Sequence, residues 1–297
     1  MDLTPDTDQI ALQTATGDWC RTNMPLNGAR DRPVGLWRDL ESMGWTEMTA
    51  PGMDIDHATE ALVFAELGRY LAPVALLSSA VATRWANPAP KTALALAAGN
   101  GIRIFDGEGA TEALGLFGKF PGLIKLGNDA EMKPSLDLST GLIRLTTSPT
   151  VNAIDHPHAA LHLQLLSAAF AVGCADAACE MAADYAKLRQ QFERPIGWFQ
   201  ALKHICSDMA VRAAVARSQL YFAACALDAS EADAAFHVAA AKRLADQAAL
   251  ENGRANIQVH GGIGMTDEAV PHLCLKRAHL LQFIAPVENR MLLGDVA

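Results

Sequence analysis

Aromatic residues are scarce in this 297-residue chain, where Phe, Trp and Tyr supply 6% of the residues although 51% are hydrophobic. The apolar content consists mainly of Ala and Leu, which lose little side-chain entropy on entering a helix. A chain of this length can also bury a sizeable core. The composition therefore predicts a mainly helical globular protein.

The chain also lacks an excess of positive charge. It carries 24 Lys and Arg residues against 33 Asp and Glu residues, a net charge of −9. Nucleic-acid surfaces need clustered cations, and peripheral membrane helices need a basic amphipathic stretch. Neither feature occurs in the sequence, so we expect no nucleic-acid partner and no membrane partner.

Targeting segments and cysteine motifs are missing as well. Residues 1–6 are acidic and offer no apolar core of a signal peptide. The longest apolar run, Leu165 to Ala175, is too short to span a bilayer. The six cysteines show neither CxxC nor zinc-ligand spacing. We therefore expect a soluble cytoplasmic protein whose thiols are reduced.

The first part of the chain, residues 1–86, is predicted to be helical. A short helix begins near Leu36, and Asp56 is placed to cap a helix over His57–Leu71. A further apolar stretch follows from Val74 to Trp85. These patterns predict an N-terminal helical domain.

Residues 87–156 differ in character. Many glycines, together with Pro88 and Pro90, break this part into short pieces, and Ile102–Phe105 and Leu142–Thr147 alternate as strands do. The pattern predicts a small β domain.

Residues 157–297 are predicted to be helical again. Apolar residues recur every three or four positions, and the short breaks between the runs favour an antiparallel bundle. The predicted helices are a long one that includes Phe192 and ends at Pro195, a second over Leu202–Leu220, a third capped by Ser230 and running to Val259, a fourth from near Asp267, and a short one after Pro286.

Two motifs in this last part resemble signatures of the acyl-CoA dehydrogenase family. The stretch Tyr185–Gln200 is similar to the family pattern Arg-x-x-Phe-Gly-x-x-Ile-x-x-x-Gln, and Gln258–Thr266 is similar to Gln-x-x-Gly-Gly-x-Gly. Residues 36–45 and 66–69 resemble the family's N-terminal helical domain more weakly. Each motif alone could be an ordinary turn or helix cap. Their occurrence together, in this order, favours the family.

The resemblance implies a mainly α fold, with an N-terminal helical domain, a reduced β middle domain and a C-terminal four-helix bundle. It also implies FAD as cofactor and an oligomer, because C-terminal residues of this family reach the adenosine end of a neighbour's FAD. An arginine can form a bidentate ion pair with a phosphate, and an aromatic ring can stack on the adenine. Side-chain amides can hydrogen-bond the polar edges of the cofactor, and glycines let the backbone approach a phosphate closely. The candidate cofactor-binding residues are Arg189, Gln191, Phe192, Gln200, Gln258, Gly261 and Gly262, with Gly264 as a further glycine that would face a phosphate.

The sequence departs from the family at the catalytic base, a carboxylate that removes a proton next to the thioester carbonyl. Alignment on Gln282 places Ala285 at the usual position of the Glu, and Leu163 occupies the alternative position. Glu288 is the nearest carboxylate, although an acid in the first turn after Pro286 is ordinarily a solvated charge. No catalytic residue is therefore assigned.

The middle part also departs from the family. It is short and contains no Gly-Ser-Asp turn of the kind that holds the flavin ring, and Ala110–Ala113 is at most a remnant of the flavin-binding strand. Glu193 stands where a Gly normally follows the Phe.

These features predict a non-catalytic subunit of a heteromeric enzyme of acyl-CoA oxidation, with α2β2 as the expected assembly. A homologous subunit would supply the flavin-ring contacts and the base, an electron-transfer flavoprotein would accept the electrons, and family analogy suggests a bulky steroid-derived acyl group. Two alternatives stay open. One is a self-sufficient homo-oligomeric flavoenzyme that uses Glu288 as base, and the other is a helical interaction protein without flavin.

Overall fold

The computed structural model describes residues 3–33, 35–53, 55–86, 89–99, 101–118, 120–127, 131–145, 149–288 and 291–292. Helix α1 (Thr7–Asn23) opens the described chain and was not predicted. Its signal is a capping box: the Gln9 backbone N–H donates to Asp6 at 2.8 Å, and the Asp6 N–H donates to the Gln9 side chain at 3.1 Å. This reciprocal pair satisfies two helix-end donors, so it marks where α1 begins.

Three further helices complete the N-terminal part: α2 (Leu36–Ser42), α3 (His57–Arg69) and α4 (Ala75–Trp85). Asp56 caps α3 as predicted, since its side chain accepts from the Thr59 backbone N–H at 2.8 Å. Helix α3 ends two residues before the predicted limit because Leu71 has a φ of +53°, outside the helical region.

Seven strands form one sheet in the order β5-β6-β2-β1-β3-β4-β7. The strands are β1 (Thr92–Ala98), β2 (Gly101–Phe105), β3 (Glu112–Phe117), β4 (Phe120–Lys125), β5 (Glu131–Lys133), β6 (Leu142–Leu145) and β7 (Val151–Ala153). Both predicted strands are present, although Thr146 and Thr147 of the second prediction lie outside the described residues. Of the other five strands, β5 and β7 have three residues each, and β3 and β4 are each interrupted by a Gly. Strand β1 has seven residues and no Gly, but it consists mainly of Ala and Leu, which favour a helix.

The two faces of the sheet belong to different cores. Leu94, Phe105 and Leu114 belong to the large core shared with the helices. Ala93 and Ile104, on the opposite face, belong to a separate small cluster. One face of the sheet therefore packs against the helical part, and the side chains of the opposite face form a small core of their own.

Helix α5 (Pro157–Leu188) is the long central helix, with 20 buried residues. It crosses α3 closely: a Cβ on Gly173 would lie 2.0 Å from the Ala65 carbonyl oxygen, and a Cβ on Gly68 would lie 2.5 Å from the Phe170 Cα. The helix is long and apolar enough to cross a membrane, but 83% of its most apolar window is buried in the protein. It is a core helix.

The prediction that this helix continues through Phe192 to Pro195 is wrong. The helix stops at Leu188, and a hairpin of β8 (Gln190–Gln191) and β9 (Arg194–Pro195) follows. The two turn residues, Phe192 and Glu193, have φ values of +53° and +63°. Two consecutive residues with positive φ make the tight hairpin turn that strand twist favours.

Helices α6 (Gln200–Asp228), α7 (Ala234–His260) and α8 (Pro271–Leu281) complete the bundle. Ser230 does not cap α7, since it has a φ of +52° and Asp233 occupies the N-cap. Helix α8 starts four residues after the predicted Asp267, with Pro271 at its first turn. Of the short helix predicted after Pro286, residues 289–290 and 293–297 lie outside the described residues. The six cysteines are free.

The observed fold is the predicted mainly α architecture, with a small sheet between two helical parts. The exact domain limits, 1–86, 87–156 and 157–297, stay a prediction.

Candidate cofactor-binding site

The hairpin after α5 fixes the backbone of Arg189. The Arg189 N–H donates to the Tyr185 carbonyl at 2.8 Å, and the Arg189 carbonyl accepts from the Ile196 N–H at 2.8 Å. Arg189 itself is the exposed C-cap of α5, so its guanidinium is accessible to a ligand. Two hydrogen bonds thus fix the Arg189 backbone, while its guanidinium lies on the surface.

Phe192 stands at the hairpin tip with 83% of its surface exposed. Its ring makes an edge-to-face contact with Phe199, with the centroids 6.1 Å apart. Gln191 is exposed beside it and donates from Nε2 to the Gln190 carbonyl at 2.8 Å. Gln200 is the first residue of α6 and is also exposed. The four predicted residues of the first motif therefore lie on one accessible hairpin and the helix start that follows it.

The second motif ends α7. Gln258 is exposed in the last turn, and Gly261 is the C-cap with a φ of +66°, a value that glycine adopts without strain. Gly262 is exposed, and a Cβ built on it would meet nothing within 4 Å. Open backbone at these two glycines leaves room for a polar ligand group.

Gly264 has a different role from the one predicted. It is buried, and a Cβ there would lie 2.9 Å from the His260 Cβ and 3.0 Å from the Ile257 carbonyl oxygen. This glycine allows the turn to fold back on α7, so its function is packing.

A stacked pair of rings brings the two motifs to the same end of the bundle. Tyr185, one turn before Arg189, lies against His260, with centroids 4.1 Å apart and planes inclined by 23°. His260 immediately precedes Gly261, and burial lowers the pKa of its ring. Residues far apart in the sequence thus line one surface.

This surface fits the adenosine diphosphate half of FAD. It offers an exposed guanidinium, exposed amides, an aromatic face and glycine backbone unobstructed by side chains, as a pyrophosphate and a purine require.

A cavity of about 430 Å³ lies between the sheet and helices α5 and α8. It brings together Leu163 and Ala285, the two positions that the sequence predicts to correspond to the family's base. Ala285 is 3% exposed, has a φ of +45°, and accepts from Gln164 Nε2 at 3.0 Å through its carbonyl. This hydrogen bond fixes the Ala285 backbone in the cavity wall, and the methyl side chain of Ala285 cannot accept a proton.

Apolar side chains dominate this cavity, with Arg103 and Glu288 as its charged lining residues. Glu288 is thus the one carboxylate among the described residues that line it. The structure places it beside Ala285, as the sequence spacing suggested.

Sequence reasoning missed a buried polar cluster of His57, Glu60 and His162, whose ligand-type atoms lie within 4.8 Å of one another. His162 Nε2 lies 2.7 Å and His57 Nδ1 3.4 Å from Glu60 Oε2, and Thr49 donates to Oε1 at 3.2 Å. The available signal was the i, i+3 spacing of His57 and Glu60 on α3.

The donor chemistry of this cluster does not fit a metal. The Trp85 indole N–H donates to His162 Nδ1 at 3.1 Å, and an indole can only donate. His162 Nδ1 must therefore be the acceptor, which places the ring proton on Nε2, where it faces Glu60. A metal on Nε2 would need the opposite tautomer. The cluster is a hydrogen-bonded structural network.

The chain is similar to known proteins in both sequence and fold. The family model described as "Acyl-CoA dehydrogenase, C-terminal domain" matches residues 159–290. The chain is 31% identical over 265 residues to acyl-CoA dehydrogenase IpdE2 of Mycobacterium tuberculosis, a match that covers 82% of this chain and 80% of IpdE2.

Solved structures share the fold. Butyryl-CoA dehydrogenase from Megasphaera elsdenii superposes with a TM-score of 0.79 at 18% identity, covering 99% of this chain and 98% of that one. The ChsE4-ChsE5 complex of Mycobacterium tuberculosis gives 0.72 at 22% identity, covering 95% and 94%. The Tcur3481-Tcur3483 steroid ACAD gives 0.73 at 21% identity, covering 97% and 95%.

Proposed function

This chain belongs to the acyl-CoA dehydrogenase family, and we propose that it is the non-catalytic subunit of a heteromeric, FAD-dependent member. The observation that carries the proposal is the cavity lined by Leu163 and Ala285. Leu163 and Ala285, which the family pattern predicts to stand at the two base positions, both line this cavity and both carry hydrocarbon side chains. The family is one of oxidoreductases acting on acyl-CoA, so the base must then come from another subunit.

In this proposal the chain completes the adenosine side of a FAD held mainly by the partner. FAD supplies the hydride acceptor for the oxidation of the acyl-CoA. Arg189 would form an ion pair with the FAD pyrophosphate, and Phe192 would pack against the adenine ring. The other assigned residues would bind polar edges of the adenosine and phosphate oxygens; they are Gln191, Gln200, Gln258, Gly261 and Gly262.

Exposed apolar side chains around this surface support a covering subunit. Large hydrophobic groups exposed together mark interaction sites, since isolated domains rarely leave them in water. They are Leu188 (79% exposed), Phe192 (83%), Trp198 (64%), Ile263 (42%) and Met265 (69%).

The names of similar proteins suggest the kind of assembly and substrate. One structure of the same fold is the ChsE4-ChsE5 complex, and another is a steroid ACAD. We therefore extend the proposal to an α2β2 assembly in the cytoplasm that oxidises a bulky, steroid-derived acyl-CoA and passes electrons to an electron-transfer flavoprotein. We also extend it to the division into three domains at residues 86 and 156.

Co-expression tests the proposal. The chain is produced alone and with homologues from the same genome that carry Glu at the position aligned with Ala285, and the FAD content of each purified sample is measured from its visible spectrum. We expect the chain alone to be colourless and one pairing to hold a single FAD per heterodimer. Arg189→Ala should empty that complex, whereas the exposed Arg38→Ala on α2 should not. A chain that binds FAD and oxidises acyl-CoA by itself contradicts the proposal.

The position of Glu288 in the cavity favours a second candidate function, a homo-oligomeric enzyme that uses Glu288 as its base. In that case Glu288→Gln abolishes the acyl-CoA oxidation catalysed by the chain alone, and Glu193→Gln, outside the cavity, retains it. A third outcome, no flavin with any homologue, would indicate a helical interaction protein.

A further inference from the structure

The imidazole of His260 is held in one orientation on the surface that carries the two motifs. Its ring stacks on Tyr185, with the centroids 4.1 Å apart, and its Nδ1 lies 2.9 Å from the backbone carbonyl oxygen of Asn256. A backbone carbonyl can only accept a hydrogen bond, so Nδ1 is the nitrogen that carries the ring proton. The stack fixes the plane of the ring, and the hydrogen bond fixes its tautomer.

The second ring nitrogen, Nε2, is left as an unprotonated acceptor. It makes no hydrogen bond with any residue that the structure describes, and it is not a buried atom. His260 is half-buried and directly precedes Gly261, and the backbone of Gly262 after it faces open space. Nε2 is therefore an accessible acceptor beside the glycine turn.

An acceptor held in this way complements the other groups of the surface. Arg189 can only donate hydrogen bonds, and the amides of Gln200 and Gln258 belong to exposed side chains that must be ordered when they bind. Adenosine carries donors that need an acceptor, namely the amino group of adenine and the hydroxyl groups of ribose. The imidazole of His260 offers one that is already oriented.

The surroundings of His260 keep its ring neutral at neutral pH. Burial lowers the pKa of the ring from 6.5, and the hydrogen bond to Asn256 opposes this shift without cancelling it. Tyr185 is the titratable side chain that packs on the ring from α5. No charged side chain of the described α5, α7, α8 or residues 261–265 contributes to the shift. The availability of Nε2 as an acceptor therefore depends on the pH.

We propose that His260 Nε2 accepts a hydrogen bond from the adenosine half of FAD, and that acid weakens the binding of FAD by protonating this nitrogen. The inference rests on the proposed function, because it assigns a further residue and a pH dependence to the same site. Protonation converts Nε2 into a donor, which then faces the donors of adenosine. Affinity is accordingly full above the pKa of His260 and falls as the pH drops through it.

The test measures the affinity of the heterodimer for FAD and not its activity. The heterodimer is stripped of FAD, and the dissociation constant of FAD is measured by fluorescence titration from about pH 8 to about pH 5, the range in which an imidazole titrates. His260→Phe keeps a ring on Tyr185 but has no acceptor. It should bind FAD about tenfold more weakly at neutral pH, the effect of one hydrogen bond, and lose the pH dependence.

Two further variants separate the acceptor from the packing of the ring. His260→Gln keeps an acceptor that does not titrate, so it should recover affinity relative to His260→Phe without recovering the pH dependence. His237→Phe, which removes an imidazole from the opposite end of α7, is the matched control and should bind FAD like the wild type. Urea unfolding verifies that each variant folds.

A titration with the hypoxanthine analogue of FAD identifies the donor. This analogue has a carbonyl in place of the amino group of adenine. If the amino group is the partner of Nε2, the wild type binds the analogue about as weakly as His260→Phe binds FAD. If a ribose hydroxyl is the partner, the wild type binds both forms alike while His260→Phe weakens both.

The outcomes separate the two proposals. If His260→Phe binds FAD as tightly as the wild type at every pH, the inference is wrong, while loss of FAD in Arg189→Ala still supports the proposed function. Tighter binding by the wild type on acidification also overturns it, since the imidazolium would then attract the pyrophosphate. A heterodimer that holds no FAD overturns both proposals.

Discussion

Arg277 Nε donates to Asp137 Oδ2 at 2.6 Å, a buried ion pair that joins α8 to the loop between β5 and β6. The same guanidinium donates to the Ala72 carbonyl at 2.6 Å and to Ser139 Oγ at 2.8 Å. Arg277 is fully buried and Asp137 is 2% exposed. One side chain therefore ties together the helical bundle, the sheet and the turn between α3 and α4.

Replacing Arg277 by Met should destabilise the fold strongly, because it leaves the Asp137 carboxylate buried without its cation. We expect a loss of about 3–5 kcal/mol in the free energy of unfolding, measured by urea denaturation. Arg38→Met, an exposed arginine, should change it by less than about 0.5 kcal/mol. Adding Asp137→Leu to Arg277→Met should restore part of the loss. If Arg277→Met is as stable as the wild type, the Arg277–Asp137 ion pair does not stabilise the fold as described.

Stability should fall on acidification in a first window set by His162. Burial lowers the pKa of this ring, although the Glu60 carboxylate opposes the shift. Below its unfolded value of 6.5, the unfolded chain takes up a proton that the folded chain does not, so the free energy of unfolding falls as pH drops. His162→Gln should flatten this slope in urea titrations at several pH values. His204→Gln, which removes an exposed imidazole from α6, is the control.

A second window belongs to Glu60. Burial alone would raise its pKa, but the electrostatic influence and hydrogen bonds of His162 and His57 outweigh burial and lower it from 4.5 to about 2. The stabilisation is therefore present above pH 4.5 and is lost as pH falls toward 2. Glu60→Gln should be less stable than the wild type at neutral pH and lose less on acidification through this range. If the stability of Glu60→Gln falls as steeply as that of the wild type between pH 4.5 and 2, Glu60 does not set this window.

Glu193→Gly should stabilise the hairpin. Glu193 has a φ of +63°, which costs a residue with a Cβ about 1 kcal/mol relative to glycine. Hydrogen exchange at the Ile196 N–H, which is bonded to the Arg189 carbonyl at 2.8 Å, reports opening of the hairpin and should slow about fivefold. Gln190→Gly, in the adjacent strand, should speed it. Faster exchange in Glu193→Gly would show that the turn differs from the one described.

Gly173→Ala should disrupt the crossing of α3 and α5. The new methyl would lie 2.0 Å from the Ala65 carbonyl oxygen and 2.4 Å from the Arg69 nitrogen, both rigid backbone atoms. We expect a loss of about 3 kcal/mol or more in the free energy of unfolding. Gly262→Ala, where a methyl meets nothing within 4 Å, is the matched control and should unfold like the wild type. Equal stability of the two variants contradicts the close crossing.

The sequence alone predicted the helical architecture, because Ala and Leu residues spaced three and four positions apart lie on one face of an α-helix, which can then be buried. It also supplied the two motifs that carry the family resemblance, since these depend on residue identity; the absence of a base at Leu163 and Ala285 stays a prediction. It missed α1, whose signal is a capping pair, and five strands of the sheet. Four of these strands are short or interrupted by Gly, and β1 is rich in Ala and Leu, which favour a helix. The prediction extended α5 through Phe192, because periodicity does not reveal a turn of two residues with positive φ.

Only the tertiary structure showed which distant residues lie together. The stack of Tyr185 on His260 unites the two motifs, and one cavity brings Leu163 and Ala285 to the same wall. The roles of the glycines also depended on it: Gly264 packs against α7, whereas Gly262 faces open space. Contacts across more than a hundred residues depend on how helices and sheet pack, and local sequence patterns carry no record of that packing.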